Sequence, residues 1–136
     1  EDKDDDGKFR EACGSLRKML ESQVLSGREQ EMYRKKYCSL MEAQVLIDES
    51  VPTDLDYENW LACLIELGRF QAAEQLWDQR RERLQSENSY MKMTELFYRR
   101  KEKDKFRDCI AELQKDRMVR LSAQGLERLR YWMQRG

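Results

Sequence analysis

Apolar residues recur at three- and four-residue steps from Phe9 to Met133, and a single proline, Pro52, stands among them. That spacing lines apolar side chains along one face of successive helices. Proline breaks helices and glycine weakens them, so one proline and six glycines in 136 residues leave room for long helical stretches. The expected fold class is all-α, with about seven helices. A chain of this length can bury a core without disulfides or metal.

The acidic run at residues 1–7, with five carboxylates and nothing apolar to bury, is expected to be a disordered tail or linker. Residues 8–136 then form one helical domain. Phe9, Cys13, Leu16, Met19, Leu20 and Val24 make a first stripe that Ser26-Gly27 ends. Met32, Tyr33, Tyr37, Leu40, Met41, Val45 and Leu46 make a second, and the two form an atypical first hairpin over 8–50. Turn formers around Pro52 mark the clearest internal boundary. Thr53 or Asp54 can cap a helix bearing Tyr57, Trp60, Leu61, Leu64 and Leu67, closed by Gly68. Phe70, Ala73, Leu76, Trp77 and Leu84 follow. Met93, Leu96, Phe97 and Arg100 lead to the charged elbow KEKDK, then to Phe106, Cys109, Ile110 and Leu113. Ser122 can cap a last helix over 122–135, whose face holds Leu126, Leu129, Trp132 and Met133, although Gly125 in its first turn weakens that assignment. Short connections imply antiparallel neighbours.

Several kinds of chemistry lack their components. The chain has no histidine, the commonest metal ligand and proton shuttle at neutral pH. Neither a phosphate-cradling glycine loop nor a nucleophile elbow occurs, and no carboxylate pair is placed to converge in a cleft. The expectation is a non-enzyme without cofactor or metal. Cys13, Cys38, Cys63 and Cys109 are far apart and sit inside apolar patterns, which suits buried free thiols in a reducing, cytoplasmic setting. No apolar run approaches the ~20 residues of a membrane span, so no membrane insertion is expected. The chain opens on Glu1 rather than Met and closes on Gly136, from which a fragment of a longer protein is expected.

Shifting the 57–77 pattern by 36 residues places Tyr57 on Met93 and Leu129, Trp60 on Leu96 and Trp132, Phe70 on Phe106, and Ala73 on Cys109. All of these stay apolar, as stacked hairpins require. Thirty-six residues are also ten helical turns, so unrelated amphipathic helices align at that offset too. The unit resembles the tetratricopeptide repeat, a helix-turn-helix of roughly 34 residues. Gly68 stands at the family's turn glycine, Phe70 at the aromatic after it, Ala73 at the small residue between helices, Trp77 at the next large apolar site, and Tyr57 at the first-helix aromatic. The resemblance covers about residues 54–135: a best repeat at 54–86, a degenerate one at 89–118, and a capping helix. Leu61 and Phe97 depart from a small-residue site, Arg80 and Asp116 from another, and Gln85 from the terminal proline. Other helical-hairpin repeats therefore remain open. The resemblance implies a right-handed solenoid of antiparallel hairpins.

It also implies a concave protein- or peptide-binding face formed by the first helices. Carried over by position, that face includes Leu55, Glu58, Asn59, Ala62, Ile65 and Glu66, then Met91, Thr94, Glu95, Tyr98, Lys101 and Glu102. Asn59, Ile65, Met91, Thr94, Tyr98 and Lys101 are the chosen partner-binding residues. Glu58 and Glu95 oppose a carboxylate-gripping variant of the face. Independently, residues 99–136 hold twelve Lys or Arg against six Asp or Glu. The densest patch comprises Arg99, Arg100, Lys101, Lys103, Lys105 and Arg107, and interspersed acids suggest local pairing. The leading expectation is a scaffold or adaptor module for protein binding. Two alternatives stay open: a nucleic-acid-associated repeat using the 99–107 and 115–135 basic residues, and a docking or regulatory domain attached to an enzyme. Self-association through the terminal helix, with Tyr131, Trp132 and Met133, is a further expectation.

Overall fold

The computed structural model describes residues 2–22, 24–115 and 121–135. Among them are seven α-helices and no strand: α1 (Asp2–Glu21), α2 (Gly27–Ile47), α3 (Asp54–Glu66), α4 (Phe70–Gln79), α5 (Glu87–Arg99), α6 (Lys103–Lys115) and α7 (Ala123–Arg135). A single 3-10 turn, Arg81–Arg83, follows α4. The chain divides into two compact units, Glu1–Ala73 and Glu74–Gly136, and the division falls inside α4. No helix among the described residues is long and apolar enough to cross a membrane.

In the first unit α2 packs against both α1 and α3. Its core draws Phe9 and Cys13 from α1, Tyr37, Cys38 and Met41 from α2, and Tyr57, Leu61, Cys63 and Leu64 from α3. One buried carboxylate ties the three helices together. Asp56 accepts from the Thr53 backbone N–H at 2.9 Å, completing a capping box at the start of α3. It also faces the Tyr37 hydroxyl at 3.4 Å and the Arg17 guanidinium at 3.4 Å. Ser26 and Glu29 form a second capping box that starts α2. The sequence pattern read Ser26-Gly27 as an ending, so the first stripe was carried too far: α1 stops at Glu21, and Val24 is 91% exposed. At its other end α1 begins at Asp2, which replaces the expected tail over residues 2–7 with helix.

In the second unit α5 packs against α6. Trp77 meets Tyr90 edge-on at 5.0 Å, and Phe106 meets Trp132 edge-on at 6.4 Å, which joins α7 to the same core. Arg81 lies 3.9 Å from the Trp77 ring, donates from Nε to the Trp77 carbonyl, and pairs with Glu112. Ser122 caps α7, its hydroxyl accepting from the Gly125 N–H at 3.1 Å. The Glu87 carboxylate in turn accepts from the Ser122 N–H and hydroxyl at 3.1 and 2.7 Å. A methyl group at Gly125 would collide with that carboxylate, so the glycine that weakened the helix assignment is what admits Glu87. Leu129 and Trp132 are buried, whereas Leu126 and Met133 are exposed.

A repeat is present, with an offset other than the one expected at its first step. Ser86 caps α5 as Thr53 caps α3, 33 residues earlier. The left-handed residues that end those helices, Gly68 at φ 75° and Lys101 at φ 57°, are also 33 apart. Each is followed by the same pair of reverse hydrogen bonds, Arg69 N–H to Leu64 and Gly68 N–H to Ile65, then Glu102 N–H to Phe97 and Lys101 N–H to Tyr98. Buried Asp56, Tyr57, Leu61, Cys63 and Leu64 match buried Ser89, Tyr90, Thr94, Leu96 and Phe97 at this offset. Buried Ala73, Leu76 and Trp77 match buried Phe106, Cys109 and Ile110. The 36-residue step instead joins α5 to α7, from Ser86 to Ser122, Met93 to Leu129, and Leu96 to Trp132. Asp116 and the end of the expected 89–118 repeat lie outside the described residues, as do the 116–120 members of the 115–135 basic stretch.

Candidate functional site

The elbow between α5 and α6 gathers the chemistry that the sequence spread along a charged run. Alternation on α5 buries Leu96 and Phe97 against α6 and leaves Tyr98 half-buried beside them. The helix then ends in the left-handed turn at Lys101, and α6 returns with Phe106 packed into the core. Between the two helices opens a cleft of about 400 Å³ lined by Phe97, Tyr98, Arg99, Lys101, Glu102, Lys103 and Phe106. Its floor is aromatic, with the Tyr98 and Phe106 rings 5.5 Å apart. Its rim is basic.

The cations around this elbow are not equivalent. Lys105 donates to Glu74 at 2.6 Å, and that carboxylate holds the Lys105 ammonium above the usual lysine range. Arg100 lies 3.7 Å from Glu102, which Lys105 also approaches at 3.8 Å. Arg99 pairs with Glu95 at 2.7 Å through an exposed side chain, and Arg128 reaches the same carboxylate at 3.6 Å. Lys101 and Lys103 are exposed, and neither has an ion-pair partner among the described residues. Arg107 is exposed and does not line the cleft. The patch therefore separates into Arg99, Lys101 and Lys103 at the cleft, and Arg100, Lys105 and Arg107 away from its lining.

Lys101 occupies a costly conformation. A side chain at φ 57° crowds its own backbone, at a cost of about 1 kcal/mol or more that glycine avoids. At the matching turn the chain uses Gly68.

The six residues chosen for partner binding do not share one surface. Tyr98 and Lys101 line the cleft. Thr94 is fully buried, and its hydroxyl donates to the Tyr90 carbonyl at 2.6 Å, so it is a core residue. Met91 is also buried. The Thr94 correction follows from the 33-residue register, which turns it to the position of the fully buried Leu61, whereas Met91 matches the half-buried Glu58 and its burial is particular to α5. Asn59 and Ile65 are half-buried on α3 and are not among the lining residues. Sequence reasoning missed Phe97 and Phe106 as a floor, because it counted both as core alone. RKEK at the elbow aligns with LGRF at residues 67–70, a signal of the shared turn but not of the cleft behind Lys101.

Cysteine chemistry points elsewhere. All four thiols are free and buried. Burial pushes Cys13 up to about 11 and Cys109 up to about 12, which suppresses the reactive thiolate. Cys38 is raised far beyond the usual thiol range by its hydrogen bond to Cys63 and by burial. Among the described residues no three Cys, Asp or Glu side chains converge to hold a metal ion. No protein-family model, no curated protein and no solved structure matches the chain.

Proposed function

We propose that the chain is a non-catalytic interaction module built of helical hairpins similar to tetratricopeptide repeats, and that it engages a protein through the α5–α6 elbow. The observation that carries this reading is the cleft itself, where an apolar aromatic floor meets exposed cations on an ordered turn. Apolar anchors supply affinity in such sites, while rim charges select the partner and speed its arrival. The 33-residue recurrence of cap, helix and left-handed turn supports the family resemblance, since the family's unit is close to that length. Acids interleaved with the basic patch favour a protein over a nucleic acid: Arg99, Arg100 and Lys105 already face carboxylates, which a phosphate backbone would have to displace.

Affinity capture with the intact chain tests this. The wild type is expected to retain a protein after nuclease treatment, and a variant with Arg99, Arg100 and Lys101 each changed to Glu is expected to lose it. Equal retention by both moves the site away from the elbow. Retention abolished by nuclease makes nucleic acid the ligand.

A further inference from the structure

The chemistry of the cleft narrows the class of partner. We infer that the α5–α6 elbow recognises an acidic linear peptide carrying a bulky apolar residue, the apolar side chain seated on Tyr98 and Phe106 and its flanking carboxylates on Lys101 and Lys103. This rests on the interaction-module reading and adds the ligand's chemistry to it.

Three observations converge on that ligand. The first is size. A cleft of about 400 Å³ holds one or two large side chains, and its floor of paired rings offers them a face rather than hydrogen-bond partners. The second is charge complementarity. Glu102, the one acid of the lining, has Arg100 at 3.7 Å and Lys105 at 3.8 Å to offset its charge from within the chain, although its buried Oε2 accepts no hydrogen bond among the described residues. Lys101 and Lys103 carry no such balance among the described residues, and the field an incoming ligand meets is cationic. The third is the backbone. The chain holds Lys101 where its own matching turn has Gly68, and it sets that ammonium, which has no ion-pair partner among the described residues, on the lip of an aromatic cleft. Strain retained at a surface turn points to a use for the side chain, because nothing in the fold needs it.

A nucleic acid fits less well. A phosphate backbone is tracked by a continuous cationic groove, whereas Glu102 and Asp104 interrupt this run, and the cleft accommodates an anchor rather than a succession of bases.

Fluorescence anisotropy with the full chain distinguishes these outcomes, using four labelled probes. One peptide combines Glu with Phe and Leu; a second replaces every Glu by Gln; a third replaces Phe and Leu by Ser; the fourth probe is a thymidine oligonucleotide. The first peptide is expected to bind, more weakly as salt rises, and the second and third are expected to bind much less. Lys101→Gly should weaken binding about two- to fivefold, the span expected for one exposed ion pair, and Lys101→Gly with Lys103→Gln about tenfold. Lys101→Arg should restore it. Glycine fits the turn, so Lys101→Gly must melt no lower than the wild type; a lower melting point overturns the strain argument.

Equal binding of the Gln peptide overturns charge recognition, equal binding of the Ser peptide overturns the anchor, and tighter binding of the oligonucleotide overturns the peptide class. Affinity unmoved by Lys101→Gly and Lys103→Gln overturns the site. If no probe binds while protein capture still depends on elbow charge, the ligand class falls and the interaction reading stands. If capture fails as well, both fall.

Discussion

Asp56 illustrates how one side chain can hold several helices. Its carboxylate is buried, caps α3, and faces both the Tyr37 hydroxyl and the Arg17 guanidinium. Removing it leaves the Arg17 cation without its carboxylate and opens the first turn of α3, while the Tyr37 hydroxyl keeps its bond to the main-chain carbonyl of residue 56 at 3.3 Å. Asp56→Ala is expected to cost about 2 to 4 kcal/mol, combining the loss of a cap with the breaking of a buried pair. Urea unfolding should show the loss as a lower midpoint at an unchanged slope, and a midpoint within experimental scatter of wild type would contradict the hub. The surrounding phenol is affected too: burial, then the nearby Asp56 charge, pushes Tyr37 well above the usual tyrosine range. The sequence offers Thr53 or Asp54 as the cap and does not single out Asp56, since a Thr followed three residues later by Asp reads as solvent-exposed unless its partners across the fold are known. The spacing itself, Thr53 to Asp56, was legible; Arg17 and Tyr37 come from distant helices and were not.

At the level of elements, periodicity located the seven helices of the described residues, and it failed where two signals competed. Ser26 and Gly27 carry both ending and starting character, and the capping box with Glu29 decides for a start. The repeat offset failed for a related reason. Thirty-six residues return a helix to the same rotational phase, so apolar matches accumulate there whether or not the turns correspond. Turn chemistry is the sharper guide, and it was hidden because Lys101 does not resemble Gly68.

Gly125 gives this scale its own test. Gly125→Ala gains about 1 kcal/mol of helix propensity, but its methyl displaces Glu87 from Ser122. The substitution is expected to be destabilising by about 1 kcal/mol in the wild type and stabilising by a similar amount in a Glu87→Ala background. A double-mutant cycle by thermal unfolding would reveal the change of sign; effects of equal sign in both backgrounds would remove Glu87 from the account.

Across the whole molecule, thiols placed in both units make stability sensitive to alkali. Burial raises Cys13 from an ordinary 9.0 to about 11 and Cys109 to about 12. A thiol whose value is raised on folding favours the protonated, folded form, so its contribution is complete below pH 9 and disappears as the pH climbs through those higher values. Helicity followed by circular dichroism should hold to about pH 9 and fall progressively toward pH 12. In parallel, the native chain at pH 8 should react with an aromatic disulfide reagent far more slowly than the urea-unfolded chain. Fast labelling of the native protein would mean that the thiols are not enclosed. Burial of all four cysteines was legible in the sequence from their places in apolar stripes. The elbow cleft was not, because it depends on a backbone angle.

That angle also sets a trade-off. Under selection for heat resistance alone, glycine should displace lysine at position 101, since relaxation of the turn is rewarded and the ammonium is not. Under selection for ligand capture the order should reverse. The codon at this position thus reports which pressure a population of variants has experienced, and a protein engineer who stabilises the fold by idealising its turns would weaken the proposed binding function first.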